Sequence, residues 1–439
     1  MQRLQNLEVK FRMRKLLYVV LDGLGDLPNS RLNDKTPLEA AKTPRMDFLA
    51  EKGKTGLMYP IRKGVAPESD AAVLSILGYD PFKYHSSRGV VEAVGSGLDF
   101  KDGNLALRCN FATVDEKCEF VLDRRVGRNL TSEEASKLAE AINKNVRLTY
   151  VPSTFIFKST TAHRGVLLIK RLDGKLSGKI TNIDPAYTRT LEGVGVAKAQ
   201  TKMKIEKCLP MVSDEEAKIA AELVNEFVEK SHKILEKHEV NLKRLKEGKP
   251  PANYVLTRDA GDNLPKFPSF WELYHLRFGC MVEMPVERGI ALLCGMEEIP
   301  LPPPTGNLKT DYIIRAGKVL DFLQKFDGVY VHIKGPDEPG HDGDAERKMQ
   351  IIELIDEHFF GRLMDRLDLK NVLVVVTSDH STPCIVKAHT DDPVPLLISG
   401  NDVLADETKE FNEKECSKGS LGVIKGPELM PMLIKLLKD

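Results

Sequence analysis

The chain has 439 residues, with 64 Lys and Arg balanced by 64 Asp and Glu, 42% apolar and 29% charged composition. That length accommodates two domains with separate cores, and the charge balance leaves no global field to draw the protein to nucleic acid or an anionic membrane. Seven Cys, an odd number without a Cys-x-x-Cys pair, speak against a disulfide framework or a thiolate zinc site and suit a reducing cytoplasm.

The basic start (Arg3, Lys10, Arg12, Arg14, Lys15) precedes only six apolar residues before Asp22. Six are too few for a signal-peptide core or a membrane span. Residues 1–12, upstream of Met13, read as an extension outside the chemistry. The run Leu16–Leu21 then reads as a buried strand that stops at Asp22 of DGLGD. Strand, loop, helix and strand follow, up to about Lys101. Within them Ser69 of APESDAAVLSILGYDP precedes Ala72, Val73, Ile76 and Leu77 at helical spacing. Two roles fit Ser69: an N-cap, or a nucleophile whose phosphorylated form the helix N-terminus would stabilise. Local sequence favours the cap. The metal-binding residues further along favour the nucleophile.

From about Gly103 to Asn253 the texture changes, with strands in ALRCNFATV and GVLLIKR, a cationic cluster DRRVGR at 123–128, and a long charged helix over about 214–245. That helix places Ile219, Leu223, Phe227, Ile234 and Leu235 on one face. The turn-rich GKPPAN at 248–253 reads as a boundary. Strand and helix alternation then resumes. VYVHIK runs into Asp337 and His341 of GPDEPGH, and VLVVVTS runs into Asp379 and His380, with His389 close behind. Pro336 and Pro339 make the Asp337–His341 stretch read as a loop. His85, His163, His232, His238, His275, His332 and His358 read as ordinary surface or core residues.

Ligands in open α/β sheets sit beyond the carboxyl ends of the strands. Asp and His from three strand ends are therefore expected to meet and hold two divalent metals. Mixed carboxylate and imidazole ligands suit manganese, zinc, cobalt or iron, with magnesium less usual. Asp22 and Asp337 lie over three hundred residues apart, so the middle segment reads as an insertion: residues 1–102 and 256–439 as the metal-binding domain, 103–255 as the inserted one.

DGLGD, SDAAVLSILGYDP, KGPDEPGHDGD, SDHSTP and KAHTDDPVP resemble the archaeal-type cofactor-independent phosphoglycerate mutases of the alkaline phosphatase superfamily. The resemblance covers nearly the whole chain. It implies an alkaline-phosphatase-like, mostly parallel sheet flanked by helices, with a smaller inserted α/β domain. It implies Asp22, Ser69, Asp379 and His380 around one metal, Asp337, His341 and His389 around the other, and phosphorylation of Ser69. The implied reaction interconverts 3-phosphoglycerate and 2-phosphoglycerate without bisphosphoglycerate, with glycerate held while it reorients. Asp123, Arg125 and Arg128 in the insertion and Arg258 near its boundary are the candidates for holding it and moving its proton, and Arg288 of VERGIA for serving the phosphate from the metal domain. No nucleic acid or membrane partner is expected, and a homo-oligomer is compatible. The Cys-x-Pro-x-Arg nucleophile motif of sulfatases is absent around position 69. A two-metal phosphomonoesterase, a mutase of another phosphosugar, and a non-catalytic binding module that keeps the fold are the competing readings.

Overall fold

The computed structural model describes residues 14–84, 87–189, 195–197, 203–400 and 403–438. Met13, the upstream extension and His85 lie outside them. The chain forms two compact units. One takes in the chain up to Tyr84, Pro268–Glu283 and the chain from Cys294; the other comprises His85–Phe267 and Met284–Leu293.

The first unit is α/β. Among the described residues its sheet has eight strands in the order Glu297–Glu298, Phe278–Met281, Gly328–Ile333, Lys15–Leu21, Val372–Thr377, Val394–Ser399, Gly53–Tyr59 and Gly422–Lys425. Only Val394–Ser399 runs against the others. The three central strands are mostly apolar, and every residue from Leu16 to Leu21 is fully buried. Period-2 geometry sends Leu17, Val19 and Leu21 into one core with Val329, Val331, Val374 and Val376. Burial of the alternate residues as well means that helices cover both faces, as a parallel sheet requires. Asp22, Asp337 and Asp379 follow the carboxyl ends of these three adjacent strands.

The second unit is built on a five-stranded antiparallel sheet. Leu105–Val114 pairs with Arg164–Arg171 and with Tyr254–Gly261; Val121–Asp123 and Ser153–Ser159 complete it. The expected long helix is two, Glu215–Leu235 and Glu239–Lys246, because His238 caps the second by accepting the N–H of Val240. Ile219, Leu223, Phe227 and Leu235 pack into this unit's core as their spacing requires, with Ile234 partly buried against it. The boundaries expected at 102/103 and 255/256 fall inside this unit. GKPPAN is a turn rather than an exit, since the strand after it pairs with Leu105–Val114. All seven Cys are free. No helix among the described residues is long and apolar enough to cross a membrane.

Candidate active site

Asp22, Asp379 and His380 form one buried group whose side-chain ligand atoms lie within 4.8 Å of one another. His380 Nε2 is 3.3 Å from Asp22 Oδ1 and 3.3 Å from Asp379 Oδ2. None of these three atoms has a hydrogen-bond partner, while Asp22 Oδ2 faces the Lys334 ammonium. Two buried carboxylates side by side disfavour each other's charge. Burial, reinforced by Asp22 and partly offset by His380, raises the Asp379 carboxyl. At Asp22 burial is outweighed by Lys334, His380 and His332, which hold it well below the usual carboxylate range. Orphaned, inward-facing oxygen and nitrogen atoms at a fully buried position fit a divalent cation.

Asp337, His341 and His389 form a second group. Asp337 Oδ1 lies 3.6 Å from Nε2 of each histidine. Burial and Asp22 would raise the Asp337 carboxyl, but His389, His380 and His341 bring it down to about 2. The stretch expected as a loop is a helix, Asp337–Asp342, which puts Asp337 and His341 on one face at i,i+4. Pro336 takes the N-cap position and Pro339 the first turn, where no backbone N–H is needed. Gly23, at φ +61°, lets the two groups approach: a Cβ there would lie 2.8 Å from the Asp337 side chain.

His341 and His389 share one hydrogen-bonding scheme. His341 Nδ1 lies 3.2 Å from the carbonyl of Lys387, and His389 Nδ1 lies 2.9 Å from the carbonyl of Pro67. A carbonyl only accepts, so each Nδ1 carries a proton and Nε2 is the nitrogen left to bind a metal.

Ser69 is the first residue of the helix Ser69–Ile76 and is partly exposed. The N-cap reading weighed for Ser69 from local sequence is not met: Glu68 holds that position, with extended dihedrals and no side-chain cap. The Pro67 carbonyl that holds His389 lies two residues before Ser69, so one bond ties the serine's loop to the second histidine group.

In the second unit the DRRVGR segment is a tight turn. Val126, Gly127 and Arg128 have successive positive φ of 53°, 66° and 55°, a costly arrangement for a β-branched residue. Asp123 holds it by accepting the N–H groups of Arg125 and Gly127, at 2.7 and 2.9 Å. Fully buried Arg244 braces it from below through Asn129, Glu134 and the carbonyls of Val126 and Pro250. Arg125 and Arg128 are exposed. Partial burial, then Arg128 and Arg124, lower the Arg125 pKa. Arg258 is buried and donates to Asp184 at 3.0 Å. Arg124 forks onto the same carboxylate, and both guanidinium groups lie about 5 Å from the Tyr187 ring. Arg288, expected to serve the phosphate from the metal domain, belongs to this second unit, where the helix Pro285–Leu293 carries it and it donates to the carbonyl of Gly95.

Several residues escaped the sequence reading. His332, taken as a satisfied core histidine, is buried with Nε2 unpartnered, 3.6 Å from Asp379 Oδ2. Lys334 sets its ammonium against Asp22 Oδ2. In the second unit, burial and then Arg164, Arg125, Arg258 and Arg124 push His163 down to about 4, the mark of a concentrated positive field. Strand-end spacing could have flagged Lys334; nothing local flags the others.

The fold and these residue groups define an α/β protein with two clusters of carboxylate and imidazole that could hold metal ions and a partly exposed serine at a helix start. The family model for 2,3-bisphosphoglycerate-independent phosphoglycerate mutase matches residues 50–241. The mutase of that name from Aeropyrum pernix is 44% identical over 429 residues, covering 96% of this chain and 99% of the relative. That from Thermococcus kodakarensis is 41% identical, covering 97% and 98%. Among solved structures, the cofactor-independent phosphoglycerate mutase from Thermoplasma acidophilum superposes with a TM-score of 0.65 at 32% identity, covering 97% of this chain and all of that one. The chain belongs to the 2,3-bisphosphoglycerate-independent phosphoglycerate mutase family, and it is an isomerase.

Proposed function

We propose that the protein interconverts 3-phosphoglycerate and 2-phosphoglycerate through a phosphoserine at Ser69, with no bisphosphoglycerate primer. The observation that carries this reading is the pair of carboxylate and histidine groups, every histidine Nε2 turned inward, tied by the Pro67 bond to the loop that presents Ser69. Asp22, Asp379 and His380, with Ser69, would hold one divalent ion and Asp337, His341 and His389 the other, manganese being the best match to the donor set. Bound there, the ions would neutralise phosphate charge and ease loss of the serine proton.

Ser69 Oγ attacks phosphorus, the bond from phosphorus to the substrate oxygen breaks, and that oxygen leaves protonated as a hydroxyl of glycerate. The N–H groups at the start of the Ser69–Ile76 helix favour the phosphorylated serine. The other glycerate hydroxyl then attacks the phosphoserine, gives up its proton and regenerates Ser69. In this reading Arg125 and Arg128 grip the glycerate carboxylate, Asp123 serves the proton transfers, and Arg258 and Arg288 complete the cationic surroundings. Rapid acid quench of protein turning over 3-phosphoglycerate, followed by peptide mass spectrometry, should find phosphate on Ser69. Phosphate on a histidine or aspartate would contradict the reading.

A further inference from the structure

The geometry points to Thr382 as the positioning residue that joins the two cation sites, its hydroxyl fixing which nitrogen of His380 binds metal while holding Asp337 of the other group. This inference rests on the metal reading above. Thr382 Oγ1 lies 2.7 Å from Asp337 Oδ1 and 3.0 Å from His380 Nδ1. A hydroxyl has one proton to give, and an ionised carboxylate has none. The Thr382 proton therefore goes to Asp337, and the oxygen's lone pair must accept a proton from His380 Nδ1. With Nδ1 protonated, Nε2, the atom that faces Asp22 and Asp379, is the nitrogen left to bind a metal. At His341 and His389 backbone carbonyls do the same work, but a carbonyl has no proton to pass on. Only at His380 does the tautomer-setting bond continue, through the same oxygen, into the second group.

The orientation of this hydroxyl is built into the fold. The Thr382 N–H donates to the carbonyl of Gly25 at 3.0 Å. Its carbonyl accepts from Lys348 Nζ at 3.0 Å, and fully buried Lys348 also bonds Asp26 and the Gly25 carbonyl. A Cβ at Gly340 would lie 2.4 Å from the Thr382 carbonyl, so the helix after Asp337 is packed directly on it. The backbone of Thr382 is thus held on both its N–H and its carbonyl side, and its hydroxyl meets His380 and Asp337.

The test is titration of metal-stripped, full-length protein with Mn²⁺ alone, by calorimetry and electron paramagnetic resonance, in wild type, Thr382→Val and Thr382→Ser. Valine keeps the shape and loses the hydroxyl; serine keeps the hydroxyl and loses the methyl. Wild type should take up two ions with a spin-coupled signal. Thr382→Val should weaken both by about 10–100-fold, the usual cost of losing such a partner, and Thr382→Ser should retain both. Equal affinity in Thr382→Val, or a loss in Thr382→Ser as large as in Thr382→Val, would overturn the inference and leave the metal reading standing. A wild type that binds no Mn²⁺ would instead sink the metal reading and the inference with it. Should Thr382→Val fail to fold, histidine ¹⁵N spectra of the zinc-loaded wild type decide the matter: His380 protonated on Nδ1 is expected, and His380 protonated on Nε2 would overturn the proposal.

Discussion

The rings of His380 and His389 stack, centroids 3.7 Å apart and planes at 21°, although each histidine belongs to a different carboxylate group. With the Thr382 bonds, this contact makes the two groups one unit. Removing a ligand from either should disturb both.

His341→Ala and Asp379→Asn should therefore each abolish turnover. They should differ in the folded state. The His341 side chain is 42% exposed, so its loss should leave the melting temperature nearly unchanged. Asp379 is fully buried beside Asp22, and replacing one of two crowded carboxylates should stabilise the metal-free protein by relieving repulsion. Thermal melts with and without Mn²⁺ check both: each variant should lose most of the metal-dependent rise seen in wild type.

Ser69→Ala should eliminate phosphoserine and turnover at little cost in stability. An N-cap serine would cost about 0.5–2 kcal/mol on replacement, but Glu68 occupies the cap. The expected change is within about 0.5 kcal/mol, as for an ordinary surface substitution. Urea unfolding of the variant measures it, and a loss near the cap value would mean that Ser69 supports the helix after all.

Metal uptake should depend on pH through His380. Burial alone would lower its pKa, but Asp379 and Asp22 push it up to about 9. The imidazolium thus stabilises the metal-free fold fully below the ordinary histidine pKa, and this contribution is lost as pH rises through about 9. A metal ligand must be neutral, so below pH 9 binding at this group releases a proton, and apparent Mn²⁺ affinity should fall about tenfold per unit as pH drops. Calorimetry in buffers of different ionisation enthalpy counts the protons directly. Affinity independent of pH between 7 and about 9 would contradict the assignment.

Neighbouring arginines should behave differently. Arg125→Ala should leave stability unchanged and cut isomerisation by about 1.5–3 kcal/mol, the worth of a charge-assisted contact, with a larger share of turnover ending as free phosphate. Arg258→Ala should instead lower stability, because its guanidinium is buried against Asp184 and Tyr187. Assays of 2-phosphoglycerate and phosphate together with unfolding curves separate the two. An unchanged product ratio at unchanged rate in Arg125→Ala would make it an ordinary surface charge.

The sheet was legible because its central strands are mostly apolar runs, rich in Val, Leu and Ile, each followed closely by an aspartate. Parallel packing on both faces demands such runs, and sheet topology then brings their ends together. The Asp337–His341 helix was not legible, because two prolines look like a loop until their positions in the first turn are known. Glu68 and Ser69 compete for one cap on dihedral angles that neighbouring residues do not reveal. Arg124 and Arg125 are adjacent and alike in sequence, yet one is turned to Asp184 and the other to solvent. His163 takes its setting from burial and, beyond its neighbour Arg164, from Arg125, Arg258 and Arg124, and His332 lies against Asp379; no local pattern announces these long-range neighbours.

The most direct measurement of the central claim is an assay of the purified protein with 3-phosphoglycerate and Mn²⁺, free of bisphosphoglycerate, following 2-phosphoglycerate and inorganic phosphate together. The account predicts rapid formation of 2-phosphoglycerate with little phosphate, abolished by chelation and restored by Mn²⁺. Phosphate release with no 2-phosphoglycerate, or isomerisation that persists after verified removal of all metal, would contradict it.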